Sequence, residues 1–162
     1  MDKMDIVLKQ WNDVRPDLDV TGMGVIGRLK LVHQYMQAEM QKTWDKYDLN
    51  LASFDVLATL RRAGEPYQLS PGALIQSSLV TSGTMTNRVD RLVQKGLVER
   101  VKNPDDGRGF FIALTEPGFH LIEQAIVDHV ETQNRLVSAI PDLERQQFSD
   151  ALKVMMSQID FD

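Results

Sequence analysis

The sequence predicts a mainly α-helical protein carrying a small β-hairpin. Three observations predict it. Long stretches repeat apolar residues every three or four positions, the period of an amphipathic helix. Capping residues, prolines and glycines punctuate those stretches where helices start and stop. One short region, "LVERVKN" followed by "FFIALT", has the character of strands, and "PDDGRG" joins its halves with Pro, Asp and Gly.

Taken in order, "DIVLKQW" is a short amphipathic start, and "VRPDLDV" interrupts it because Pro16 disfavours helical geometry at Arg15. A long helix is expected from about Met23 to Lys46, with Val25, Leu29, Val32, Met36 and Met40 on one stripe. Asn50 is a candidate N-cap for a second long helix. That helix carries Phe54, Leu57 and Leu60 on one side and ends at Gly64. Ser70 followed by Pro71 reads as an N-cap and first-turn proline of a short helix, with Leu74 and Ile75 turned inward. A further helix has Thr81 and Ser82 as cap candidates and closes at Gly96. Its apolar set, Met85, Val89, Leu92 and Val93, forms a core stripe. After the hairpin, whose two strands are the only ones expected, Thr115 caps a helix with Pro117 just inside. That helix carries Phe119, Ile122, Ile126, Val130 and Val137. Pro141-Asp142 breaks it, and a last helix follows with Leu143, Phe148, Leu152, Met155 and Ile159.

Gly22, Gly24 and Gly27 stand in G-x-G-x-x-G spacing. That fingerprint binds a dinucleotide only at a strand-to-helix turn inside a βαβ unit. No strand is expected before Gly22 or directly after the helix. The glycines are therefore expected to start a long helix and let another helix approach it closely.

Bulk properties narrow the function. The chain has 162 residues, enough for one domain with a real core. It has no cysteine, which removes disulfides, thiol switches and cysteine-ligated zinc. His33, His120 and His129 are scattered along the chain without metal-ligand spacing, so no metal and no cofactor is expected. No apolar run is long enough to span a membrane, and "MDKMDIVLKQ" lacks a signal-peptide core. The expected location is cytoplasmic, on the nucleoid. No nucleophile–base set, metal cluster or cofactor loop is recognisable, so the chain is not expected to be an enzyme.

Charge is distributed unevenly. The net charge is −5, yet residues 61–108 hold eight Lys/Arg against five Asp/Glu, a local +3 between flanks that total −8. The fourth predicted helix presents Thr84, Thr86, Asn87, Arg88, Arg91 and Lys95 on its polar face. Such a face suits the major groove, where base edges offer distinct donors and acceptors. Ser82, Gly83 and Thr84 at its start are small enough to approach phosphates. Arg108 at the hairpin tip suits the negative potential of a minor groove. Helix, short helix, helix and hairpin from about 50 to 115 make a winged helix-turn-helix.

The stretches "FDVLATLRRAG", "LSPGAL" and "VTSGTMTNRVDRLVQKGLVERVKNPDDGRGFFIALTEPG" resemble the MarR family of bacterial transcriptional regulators, densely over positions 54–118. The most specific element is the wing, which here reads Asp106-Gly107-Arg108-Gly109, then Leu114-Thr115 and Gly118. The resemblance implies that Arg108 enters the minor groove with Asp106 orienting it; many members carry a basic residue where Gly107 stands. It implies a homodimer on a pseudo-palindromic double-stranded operator, with a small aromatic or anionic effector releasing a repressor. The dimer also follows from the residues: a central lobe of about 65 residues cannot cover the apolar faces of all the terminal helices. Residues 1–47 and 117–162 are accordingly expected to form a helical dimerisation region, and 48–116 the DNA-binding lobe.

The "W…RPDLD" element resembles the branch of that family that responds to urate. By that resemblance Trp11, Asp55 and Arg88 form the ligand or switch set, although Ala63 stands where that branch carries an asparagine. An Asp55–Arg88 ion pair would tie the second long helix to the recognition helix, and a ligand anion would compete for Arg88. The same pair could serve only to position the helix. His33, near the apolar stripe, is a further candidate for a pocket wall. A second reading stays open at this point, a winged-helix protein-interaction module without specific DNA binding.

Overall fold

The computed structural model describes residues 1–78, 85–104 and 109–159. The chain forms two compact units, Met1–Gln41 and Lys42–Asp162.

In the first unit, α1 (Lys3–Val14) starts with a reciprocal cap. The Asp2 carboxylate accepts from the main-chain N–H of Met4 (2.7 Å) and Asp5 (2.9 Å), and Asp5 accepts from Asp2 N (2.7 Å). α1 packs on the first turns of α2 (Thr21–Asp45), and the glycine spacing explains how. A Cβ at Gly27 would stand 2.5 Å from Met4 Cε, and one at Gly24 would stand 3.1 Å from Leu8 Cδ1. Arg28 closes the contact by donating to Asp2 (2.8 Å) and Asp5 (2.5 Å). Helix meets helix here, as the sequence led us to expect of these glycines. The expected stripe on α2 is buried only at its end: Met40 is 7% exposed, Val25 51% and Val32 48%.

The second unit begins at the C-terminal end of α2. Next come α3 (Leu51–Arg62), β1 (Gln68–Leu69), α4 (Pro71–Ser77), α5 (Met85–Gln94), β2 (Val98–Lys102), β3 (Phe110–Leu114), α6 (Glu116–Val137) and α7 (Asp142–Met156). Asn50 caps α3 by accepting from Ser53 N (2.9 Å), and Ser70 caps α4 by accepting from Ala73 N (3.2 Å). α3 is the centre of the core. Phe54, Val56, Leu57 and Leu60 are buried on it, and so are Asp55 and Thr59. Leu74, Met85, Val89, Leu92, Ile112 and Ile122 complete the same core from neighbouring elements.

The sheet corrects one expectation. It has three strands, not two, in the antiparallel order β1-β3-β2. Gln68 pairs with Ala113 and Leu69 with Ile112 on one edge of β3, while Val98 to Lys102 pair with Leu114 to Phe110 on the other. β1 is too short to show an alternating pattern, and its pairing satisfies an edge of β3 that would otherwise be bare.

The junction of sheet and α6 explains the Leu-Thr-x-x-Gly pattern. Thr115 Oγ1 donates to Gly96 O (2.6 Å) and accepts from Gly118 N (3.1 Å), so one hydroxyl caps α6 and ties it to the turn after α5. Gly118 lies against that turn, where an added Cβ would stand 1.9 Å from the main-chain oxygen of Leu97. Only glycine fits that approach.

Four contacts pin the end of α2 to α6. Thr43 and Thr132 share a hydrogen bond (2.8 Å), and Lys46 pairs with Asp128 (2.8 Å). Tyr47 OH donates to Gln124 O (3.3 Å), and Trp44 Nε1 donates to His129 Nδ1 (3.2 Å). The His129 ring stacks on Phe54 (4.4 Å) and Trp44 (5.9 Å), and burial lowers its pKa below the usual histidine value. At the other end of α3, Arg61 lies over the Tyr67 and Phe119 rings (5.1 Å each) and pairs with Glu123 (2.6 Å). Among the described residues, no helix is long and apolar enough to cross a membrane.

Candidate DNA-reading face

α5 is held by its apolar stripe. Met85, Val89 and Leu92 are at most 3% exposed and pack toward α3 and β2. With those positions inward, Thr86, Asn87, Arg91 and Lys95 are exposed and Arg88 is half-buried. The expected polar face therefore exists over its described part. Two charged contacts fix the helix further. Asp90 pairs with Arg100 on β2, and that guanidinium lies 5.6 Å from the centre of the Phe110 ring. Lys95 Nζ donates to both the main-chain oxygen and the carboxylate of Asp48 (2.7 Å each), in the turn between α2 and α3. Sequence reasoning placed Lys95 among the DNA contacts; the structure gives its ammonium protein partners 47 residues away.

A cavity of about 240 Å³ opens between the N-terminal turn of α3 and the polar face of α5. Asn50, Ala52, Ser53, Asn87, Arg88 and Arg91 line it. Its lining thus includes two arginines, two asparagines and a serine, beside the positive end of a helix. Asn50 was legible in the sequence only as a cap residue and Ser53 not at all; their place in this wall depends on how α3 and α5 pack.

The candidate switch residues fall in different places. Asp55 is 4% exposed on α3, and Arg88 lies on α5 in the same unit. Trp11, on α1, is 40% exposed, and His33 is exposed on α2; both belong to the first unit. Ser82, Gly83, Thr84, Asp106 and Arg108, together with the cap candidate Thr81, lie outside the described residues. One step beyond the last pair of β2 and β3, Asn103 N donates to Gly109 O (3.0 Å). His120 sits 3.8 Å from Glu116 on the surface of α6.

A capped helix, a short helix, a third helix with an exposed polar face and a β-hairpin define a winged helix-turn-helix protein of the DNA-binding class. The sequence pattern of the MarR family matches residues 47–109. The HTH-type transcriptional regulator PecS of Dickeya dadantii is 39% identical over 139 residues, covering 86% of this chain and 84% of that protein. The multiple antibiotic resistance protein MarR of Escherichia coli is 36% identical over 100 residues, covering 61% of this chain and 67% of that one. A crystal structure of mutant E. coli MarR complexed with operator DNA superposes with a TM-score of 0.70 at 28% identity, covering 90% of this chain and 96% of that one. The chain belongs to the MarR family. It is a transcriptional regulator and not an enzyme.

Proposed function

We propose that the chain is a homodimeric repressor of pseudo-palindromic double-stranded operators, released by a small aromatic or anionic effector. The observation that carries this reading is the shared ownership of Arg88 and Arg91. Both stand on the polar face of α5, and both line the cavity against α3. A ligand anion held there would engage the side chains that a DNA complex needs, so effector and operator are thermodynamically linked.

Thr86, Asn87 and Arg91 read base edges in the major groove, where an asparagine suits adenine and an arginine guanine. Ser82, Gly83 and Thr84, which precede α5 in the sequence, contact phosphates. Arg108 enters the minor groove, oriented by Asp106. Arg88, with Asp55 on α3 as its proposed partner, is the switch: an incoming anion competes for its guanidinium and tilts α5. Trp11 on α1 and His33 on α2 are proposed as ligand-binding residues of the first unit. Residues 1–47 and 117–162 form the dimerisation region. Its support is the apolar surface of α2 and α7, with Ile26 at 58%, Tyr35 at 59%, Leu143 at 69% and Val154 at 67% exposure. Burial of such surface is worth about 25 cal/mol per Å². A dimer would set two copies of α5 roughly 34–36 Å apart, one turn of DNA.

Fluorescence anisotropy on labelled DNA from upstream of the coding region, with random competitor and a salt series, tests this. Competitor-resistant binding weakened by aromatic anions, urate included, is the expected result. Weak binding with steep salt dependence alone would indicate nonspecific phosphate contact and favour the interaction-module reading.

A further inference from the structure

We infer that Lys95 is a positioning residue for DNA recognition, a latch fixing the C-terminal end of α5 to the α2–α3 turn, and not a phosphate contact. This rests on the reading of α5 as the recognition helix. An ammonium has three donors, and Asp48 takes two of them through its carboxylate and its main-chain oxygen, each at 2.7 Å. Asp48 has φ +53°, the left-handed conformation in which the chain turns from α2 into α3.

The far end of the latch is itself fixed. The same turn is tied to α6 by Lys46–Asp128 and Tyr47–Gln124, one turn of chain after Trp44 meets His129. On the near side, the Asp90–Arg100 pair joins the middle of α5 to β2. These two charged contacts join α5 to two different elements, beside its buried apolar stripe and the Thr115–Gly96 hydrogen bond at the turn that follows it. Releasing Lys95 removes the charged contact at the C-terminal end of α5 and loosens the angle that the helix keeps over its packed stripe. Thr86, Asn87 and Arg91 would then meet base edges over a spread of angles, which hydrogen-bond geometry tolerates poorly. In a dimer, each protomer would contribute one latch to the separation of the two helices.

The test is anisotropy on the full-length protein and its operator fragment across a salt series, using Lys95→Met and Asp48→Asn. Met keeps the aliphatic stem without the ammonium, and Asn accepts a left-handed backbone as readily as Asp. Exposed ion pairs are weak, so the expected loss for Lys95→Met is on the order of fivefold in affinity, with an unchanged slope of log K against log salt. Asp48→Asn should weaken binding in the same direction, although it removes a negative charge. A slope reduced by about 0.9 for each lost phosphate contact overturns the proposal. So does an Asp48→Asn protein that binds as well as or better than the wild type, because a freed Lys95 would then be gripping DNA.

Amide hydrogen exchange on the free proteins provides a reading that needs no DNA. Both variants should exchange faster over residues 92–96; unchanged protection there also overturns the latch. A wild type without competitor-resistant binding would instead overturn the operator-binding repressor reading proposed above, while exchange still reports on the latch itself.

Discussion

Helices α3 and α7 are both amphipathic, and the fold uses them in opposite ways. α3 has 12 residues and buries Phe54, Asp55, Val56, Leu57, Thr59 and Leu60. α7 has 15 residues, all described, and buries none. Leu143 is 69% exposed, Val154 67% and Met156 56%. The contrast teaches that an apolar face states a need for a partner without saying where the partner is. α3 finds its partners in α4, α5, α6 and β3. α7 leaves its apolar residues to a surface beyond this chain, which the proposed dimer supplies.

The largest effect should come from the core side of the comparison. Leu57 is fully buried. Leu57→Ala should cost about 3 kcal/mol of stability in urea unfolding, from lost transfer energy and the cavity left behind. The equivalent truncation on α7, Val154→Ala, should stay within about 0.5 kcal/mol at protein concentrations low enough to favour monomer. Similar losses at the two positions would erase the distinction. Gly118→Ala comes next, at about 2 kcal/mol. Its added carbon meets the main-chain oxygen of Leu97, which neighbouring strand and helix hold in place.

A prediction on the α7 side follows. Val154→Asp should leave far-UV circular dichroism unchanged and raise the dimer dissociation constant at least about tenfold by sedimentation, since a charge at an apolar interface is desolvated in both copies. An unaltered dissociation constant would remove this part of α7 from the interface. Smaller still is Gly27→Ala. Its Cβ would meet the end of the Met4 side chain, which has rotamers to retreat into. Alanine also gains about 1 kcal/mol of helix propensity over glycine. Thermal unfolding should therefore shift little in either direction, whereas a loss as large as that of Gly118→Ala would mean that α1 cannot adjust.

These contrasts also mark where sequence reading works. Asn50, Ser70 and Thr115 were legible as caps because capping is a contact between near neighbours. The apolar stripe of α5 was legible because a 3.6-residue period is local too. The capping box of α1 passed unread because it is built from two aspartates, Asp2 and Asp5, and not from the usual Ser/Thr with Glu. β1 passed unread because two residues carry no period. Lys95 looked like a free cation on a polar face, since its partner Asp48 lies 47 residues earlier. Asp55 gave no sign of its burial, because a charged residue inside an apolar helix face is visible only once α3 is packed. His129 seemed one of three scattered histidines; its place beside Trp44 and Phe54 depends on how α2, α3 and α6 cross.

That last residue yields the smallest expected effect, and it sharpens the account of the packed side. His129 Nδ1 accepts the Trp44 Nε1–H, so in this arrangement Nδ1 carries no proton. Burial among Trp44 and Phe54 disfavours the imidazolium and lowers the folded pKa beneath the unfolded value near 6.5. Below that value the unfolded chain binds a proton more readily than the folded one. The stabilisation from neutral His129 is therefore complete above about pH 6.5 and is lost as pH falls through the folded pKa. Urea midpoints between pH 7.5 and 5 should fall more for wild type than for His129→Phe, which keeps a stacking ring but cannot titrate. The variant should be less stable at pH 7.5, where Trp44 loses its acceptor, and the two curves should converge toward acid. Parallel curves would mean that protonation at this crossing is equally easy in the folded and unfolded chain, and that the α2–α6 junction carries no acid sensitivity.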